Sequence, residues 1–82
     1  MNNNPRMNFR PNGTVAVLHL RFEGRSRDIA LGDLDIGLNT SDEAVKNAVA
    51  KFFELSTAQL NDYVVERHEN GNLTLRPEAV FG

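Results

Sequence analysis

Apolar and polar positions alternate most cleanly over residues 14–22, TVAVLHLRF. There Ala16, Leu18, Leu20 and Phe22 share one face, and Val15, Val17, His19 and Arg21 share the other. The second face turns from apolar to polar along its length, so one end of this strand is expected to be covered on both sides. Glu23-Gly24-Arg25-Ser26 reads as a hairpin connection, and residues 27–31 return as a second strand with Ile29 and Leu31 inward. A slip of one residue would send both side chains to solvent, so burial fixes the register. Gly32-Asp33 breaks the strand. Leu34, Ile36 and Leu38 then alternate with polar or glycine positions, a pattern that suits a strand extension or a tightly packed loop.

The period then changes from two to 3.6. Val45, Ala48, Val49, Phe52 and Phe53 recur at helical spacing and predict one buried stripe, with Lys46, Asn47 and Lys51 on the other face. Thr40-Ser41-Asp42-Glu43 has the form of a capping box, with Thr40 as the predicted N-cap and Asp42 and Glu43 at the positive end of the helix dipole. A second box, Ser56-Thr57-Ala58-Gln59, is flanked by Leu55 and Leu60 as the two ends of a hydrophobic staple, and predicts a short helical turn near residues 57–62.

Asn70-Gly71 marks a second hairpin. A two-residue loop would set His68 against Leu73 and Glu66 against Leu75. A three-residue loop over 69–71, with Gly71 in the bulge position, instead pairs Arg67 with Leu73 and Val65 with Leu75. The second register gathers Tyr63, Val65, Leu73 and Leu75 on one face and is the one expected. Pro77 argues against a central strand running further. Ahead of the first strand, MNNNP over residues 1–5 is polar and aperiodic and predicts a disordered tail. Residues 6–10 alternate, with Met7 and Phe9 together, and suit a short edge strand before the turn-forming Pro11-Asn12-Gly13.

The expected fold is therefore α+β: two strands, one main helix packed across a mixed four- or five-stranded sheet, a short helical turn, then two more strands, all in one domain over residues 6–82. With 82 residues, one core is what the chain can bury. It contains no cysteine and only two histidines, His19 and His68, far apart in sequence. Disulfides, thiolate metal sites and thiol nucleophiles are thereby excluded. No metal and no cofactor is expected. Neither a membrane span nor a signal-peptide apolar region is visible, so a small soluble, cytoplasmic protein is expected.

In its element order (TVAVLHLRF, a tight turn, RDIAL, the helix SDEAVKNAVAKFFEL, then the later strands) the chain resembles the ubiquitin-like β-grasp family. That resemblance covers residues 14–82 and implies a protein-interaction module. Members that act as modifiers or carriers are activated at a C-terminal Gly-Gly, which implies an alternative role for the tail Phe81-Gly82. Gly82 matches that pattern, whereas Phe81 stands where the other glycine would be.

Three surfaces are candidates for function. The sheet face away from the helix, with Val15, Val17 and His19, suits a protein partner. Arg21, Arg25 and Arg27 gather near the first hairpin and suit a nucleic acid or an acidic partner, since arginine pairs bidentately with phosphate and carboxylate. Against nucleic acid stand a formal charge of −2 and the lack of aromatic residues interleaved with those arginines. The C-terminal pair Phe81 and Gly82 is the third. His19 is expected to make a cross-strand hydrogen bond, and Asp33 and Asp35 to lie in a solvated loop. With no nucleophile, base and orienter at catalytic spacing, no enzyme is expected.

Overall fold

The computed structural model describes residues 15–79. The expected tail over 1–5, the edge strand over 6–10 and the Phe81-Gly82 site all lie outside them. Strands β1 (Val17–Phe22), β2 (Arg25–Ala30), β3 (Tyr63–Arg67) and β4 (Leu73–Pro77) form one mixed sheet in the order β2-β1-β4-β3. The outer pairs are antiparallel, and the central pair β1–β4 is parallel, with Leu18 beside Leu73 and Leu20 beside Leu75. Helices α1 (Leu31–Leu34) and α2 (Asp42–Phe52) and a 3₁₀ turn (Thr57–Leu60) make up the connection between β2 and β3. This is an α+β arrangement compatible with a β-grasp-like fold.

The pleat of β1 is as the alternation predicts. Ala16, Leu18 and Leu20 are buried, and Phe22 packs partly against them. The first hairpin is tighter than expected. Phe22 pairs with Arg25, so only Glu23 and Gly24 form the loop, with φ of 52° and 77°. Two residues in the left-handed region give a turn whose twist matches the flanking strands, and Arg25 and Ser26 thereby join β2. Leu31 is buried, as expected, but as the first residue of α1 rather than the last of a strand. That single turn ends at Asp35, where φ is 60°. Leu34 and Ile36 enter the core through this loop, while Leu38 stays 42% exposed.

The cap of α2 lies one residue later than the sequence suggests. Ser41 is the N-cap, its Oγ accepting from the Ala44 N–H at 3.2 Å. Thr40 instead accepts from the Gly37 N–H at 2.8 Å and closes the preceding loop. Val45, Val49 and Ala50 are buried, and Ala48 and Phe53 pack partly against the core. Phe52 is the correction: it is 49% exposed. The helix ends there, Phe53 being its C-cap, and the backbone turns away with Glu54 at φ 57°. At this end of the stripe only one of the two phenylalanines reaches the sheet. The second box forms as predicted: the Ser56 N–H donates to Gln59 Oε1 at 3.0 Å, and Ser56 Oγ accepts from the Ala58 N–H at 3.1 Å. Leu60 is buried and Leu55 packs beside the core.

The second hairpin has the three-residue loop. Arg67 pairs with Leu73 and Val65 with Leu75, the His68 N–H donates to the Asn72 carbonyl at 2.9 Å, and Gly71 sits at φ 92°. Pro77 closes β4 opposite Tyr63, one position beyond Arg76 and outside the ladder with β1, which stops at Leu75. Its missing N–H is therefore not demanded by β1.

Leu75→Ala is expected to cost ~2–5 kcal/mol, because Leu75 is fully buried in the core, flanked by Leu20 of β1 and Val65 of β3. Phe52→Ala should cost only about 1 kcal/mol, most of it the edge-on ring contact with Phe53. Urea unfolding of the two variants checks the ranking, and a Phe52 loss equal to that of Leu75 would contradict it. Gly71→Ala should lower the melting temperature, since a Cβ is strained at positive φ; an unchanged value would count against the bulged loop.

Candidate functional site

The sheet face away from α2 carries Val17, His19 and Arg21 from β1, Ser26, Asp28 and Ala30 from β2, Thr74 and Arg76 from β4, and Val64 and Glu66 from β3. Cross-strand polar pairs span it. His19 Nδ1 lies 2.6 Å from Asp28 Oδ1, its register partner, as the sequence reading expected. Arg76 donates to Glu66 Oε2 at 3.0 Å, and His68 Nε2 lies 2.7 Å from Thr74 Oγ1. Asn72 is the buried polar residue beneath them; its Oδ1 accepts from the Val17 N–H at 3.1 Å and pins the start of β1 to β4. Val15, Val17, Ala30 and Val64 are the apolar members of this face, and each is half-buried. The face anticipated as an apolar docking surface is largely occupied by its own polar pairing.

Arg76 holds the Glu66 carboxyl below its ordinary range, mainly through their hydrogen bond and opposed by partial desolvation; Glu66 in return raises Arg76. Tyr63, against Phe22 at 5.9 Å between ring centroids, is raised by burial and then by the charge of Glu23.

The pleat separates the three arginines. Arg21 pairs with Ser26 and projects to the polar face, whereas Arg25 and Arg27 are register partners of Phe22 and Leu20 and project to the helix side. Arg27 lies over the Phe53 ring at 5.7 Å. Neither Arg21 nor Arg25 forms an ion pair with a described residue. Two clefts meet at Arg27 and Phe53. One, of about 460 Å³, is walled by Leu20, Phe22, Arg25 and Leu55; the other, of about 430 Å³, lies along β2 with Ile29, Ala30 and Phe52. Together they form a groove between the outer strand β2 and the C-terminal end of α2. Exposed apolar surface meets there the positive charge of Arg25, which has no ion-pair partner among the described residues.

The sequence reading placed Arg25 and Arg27 among the candidates but not the phenylalanines beside them. A signal for Phe52 existed: two adjacent phenylalanines, 100° apart on a helix, cannot both lie at the centre of one stripe. Asp33 is exposed beside this groove, and Asp35 caps α1. No group of three metal-ligating side chains occurs among the described residues, and none of their helices is long and apolar enough to cross a membrane. Compared with known proteins, the chain matches no family model, no curated protein and no solved structure.

Since the folded-state pKa of Glu66 is depressed, its pairing stabilises the protein above the unfolded carboxylate range, and that contribution is lost as pH falls through the folded value. Melting curves from neutral pH to about pH 3 should show wild type losing more stability on acidification than Glu66→Gln. The difference should be small, because both partners are part-exposed, and the opposite sign would refute the assignment.

Proposed function

We propose that this chain is a non-enzymatic, ubiquitin-like protein-interaction module whose binding surface is the groove between β2 and the end of α2. One observation carries the reading: Phe52, the most exposed large apolar side chain among the described residues, stands beside Phe53, Ile29, the guanidinium of Arg25, which forms no ion pair with a described residue, and the stacked guanidinium of Arg27. An aromatic anchor next to arginine is the composition that carries binding energy at protein interfaces. The element order and the central parallel pair support the β-grasp-like part of the reading. The polar pairing on the opposite face favours the groove over that face as the docking surface.

A displayed random-peptide library selected against the full chain tests this. Enriched peptides should perturb the amide signals of Ile29, Phe52 and Phe53, and Phe52→Ala should weaken them about tenfold, near 1.4 kcal/mol, while leaving the fold intact by circular dichroism. Peptides that map to His19, Glu66 and Thr74 instead, or a selection that yields no saturable binder, would overturn it.

A further inference from the structure

We infer that the free edge of β3 is a homodimer interface, at which two copies of this chain pair antiparallel about Val65 and join their sheets into one. β3 is the outer strand at the end of the sheet opposite β2, and main-chain bonds fix which of its groups are free. The His68 N–H donates to the Asn72 carbonyl at 2.9 Å, and the Asp62 carbonyl accepts from the Glu78 N–H at 2.8 Å. Hydrogen-bonded positions alternate along an antiparallel ladder, so Val64 and Glu66 also bond to their register partners Arg76 and Thr74. Tyr63, Val65 and Arg67 therefore direct their N–H and C=O groups outward. That row spans about 14 Å, and no described residue pairs with it.

The sequence of the strand selects one register. Two copies of the same edge meet across a two-fold axis, outward group against outward group. Centred on Val64, this arrangement sets Asp62 against Glu66; centred on Glu66, it sets Glu66 against itself. Like charges placed directly opposite are destabilising. Centred on Val65, it sets Val65 against itself, Tyr63 against Arg67, Val64 against Glu66 and Asp62 against His68. No like charges meet in that register, and it forms about six main-chain hydrogen bonds. Arg67 brings little free charge to the seam, because the Asp42 carboxylate lies 2.7 Å from its guanidinium.

Two further features favour this edge. Leu38 and Phe52 are the exposed large apolar side chains among the described residues, and Leu38 is held beside β3 by the Arg67 guanidinium, which donates to its carbonyl. Pairing Arg67 with Tyr63 of a second copy brings Leu38 of each copy to the seam, where apolar area leaves water. The same operation on β2 sets Arg25 against Arg27, Arg27 against itself or Asp28 against itself. One edge of the sheet is thus closed to its own copy and the other is matched to it.

Sedimentation velocity and amide exchange by NMR test this on the full chain, from about 10 μM to about 1 mM, the range in which so short an interface associates. The sedimentation coefficient should rise with concentration toward that of a dimer, and the Tyr63, Val65 and Arg67 amides should gain protection in step. A mixture of labelled and unlabelled chains should give nuclear Overhauser contacts from Tyr63 of one copy to Arg67 of the other. Val64→Glu should weaken association about tenfold, since the new carboxylate faces Glu66 across the axis. Arg76 is its neighbour within the chain, so the fold is not at risk. Val64→Thr, β-branched and uncharged, should leave association within about twofold. A chain that stays monomeric over this range overturns the inference. Protection of the three amides that does not change with concentration would assign the edge to a segment of the same chain and also overturn it. Concentration-dependent protection of Ser26, Asp28 and Ala30 instead would move the contact to β2, with the same result. Association that Val64→Glu leaves unchanged would overturn the pairing about Val65.

Discussion

The parallel pairing of β1 with β4 is the constraint on which the rest of the molecule depends. Leu18 lies beside Leu73 and Leu20 beside Leu75, and these four side chains are almost wholly buried. Parallel neighbours cannot be joined by a tight turn, so everything between them has to serve as a crossover. Helix α2 lies within that crossover and buries Val45, Val49 and Ala50 in the same core as the four leucines. Asn72 adds the one polar stitch at the start of the ladder, its side chain accepting the Val17 N–H in a buried position where an unmatched donor would be costly. With the two central strands fixed in this way, the two hairpins have no choice but to place β2 and β3 outermost.

Those outer strands are not equivalent. The residues of β3 are mostly half-buried, and Arg67 at its end donates to the carbonyls of Leu38 and Thr40 and to the Asp42 carboxylate, fastening the strand to the start of α2. β2 exposes four of its six residues. On the helix side it sends Ile29 into the core, while Arg27 lies over Phe53, next to a phenylalanine that the end of α2 leaves in water. On the face away from the helix most charged groups are matched across the strands, His19 with Asp28 and Arg76 with Glu66, while Arg21 forms no ion pair with a described residue.

Much of this was legible in the sequence because it is written in short-range signals. The alternation of TVAVLHLRF gave the inward face of β1, the Ser56 box gave the 3₁₀ turn, and the balance of charge against apolar residues selected the three-residue loop at Gly71, together with its register. Misses came where a local rule had two solutions. Thr40 and Ser41 both suit an N-cap; which one serves depends on whether the loop needs Thr40 to hold Gly37. Glu23 accepts a left-handed backbone that its residue type does not advertise, so the turn is shorter than composition suggests. Periodicity says that Phe52 and Phe53 cannot both lie at the centre of the stripe; which of them turns outward depends on where α2 stops relative to the sheet. The groove is legible only once β2 and α2 are set side by side.

The central pair has a consequence for how the chain is made. Both hairpins are local and can form within microseconds of becoming available. Closing the sheet requires Leu18 to meet Leu73, however, and contacts that distant in sequence slow the search for the folded state. On a ribosome, β1 and β2 would emerge as an isolated hairpin whose inner face stays wet until β4 has cleared the exit tunnel. Charged side chains on an exposed strand oppose edge-to-edge pairing, and Arg25 and Arg27 lie on the hairpin's outer strand.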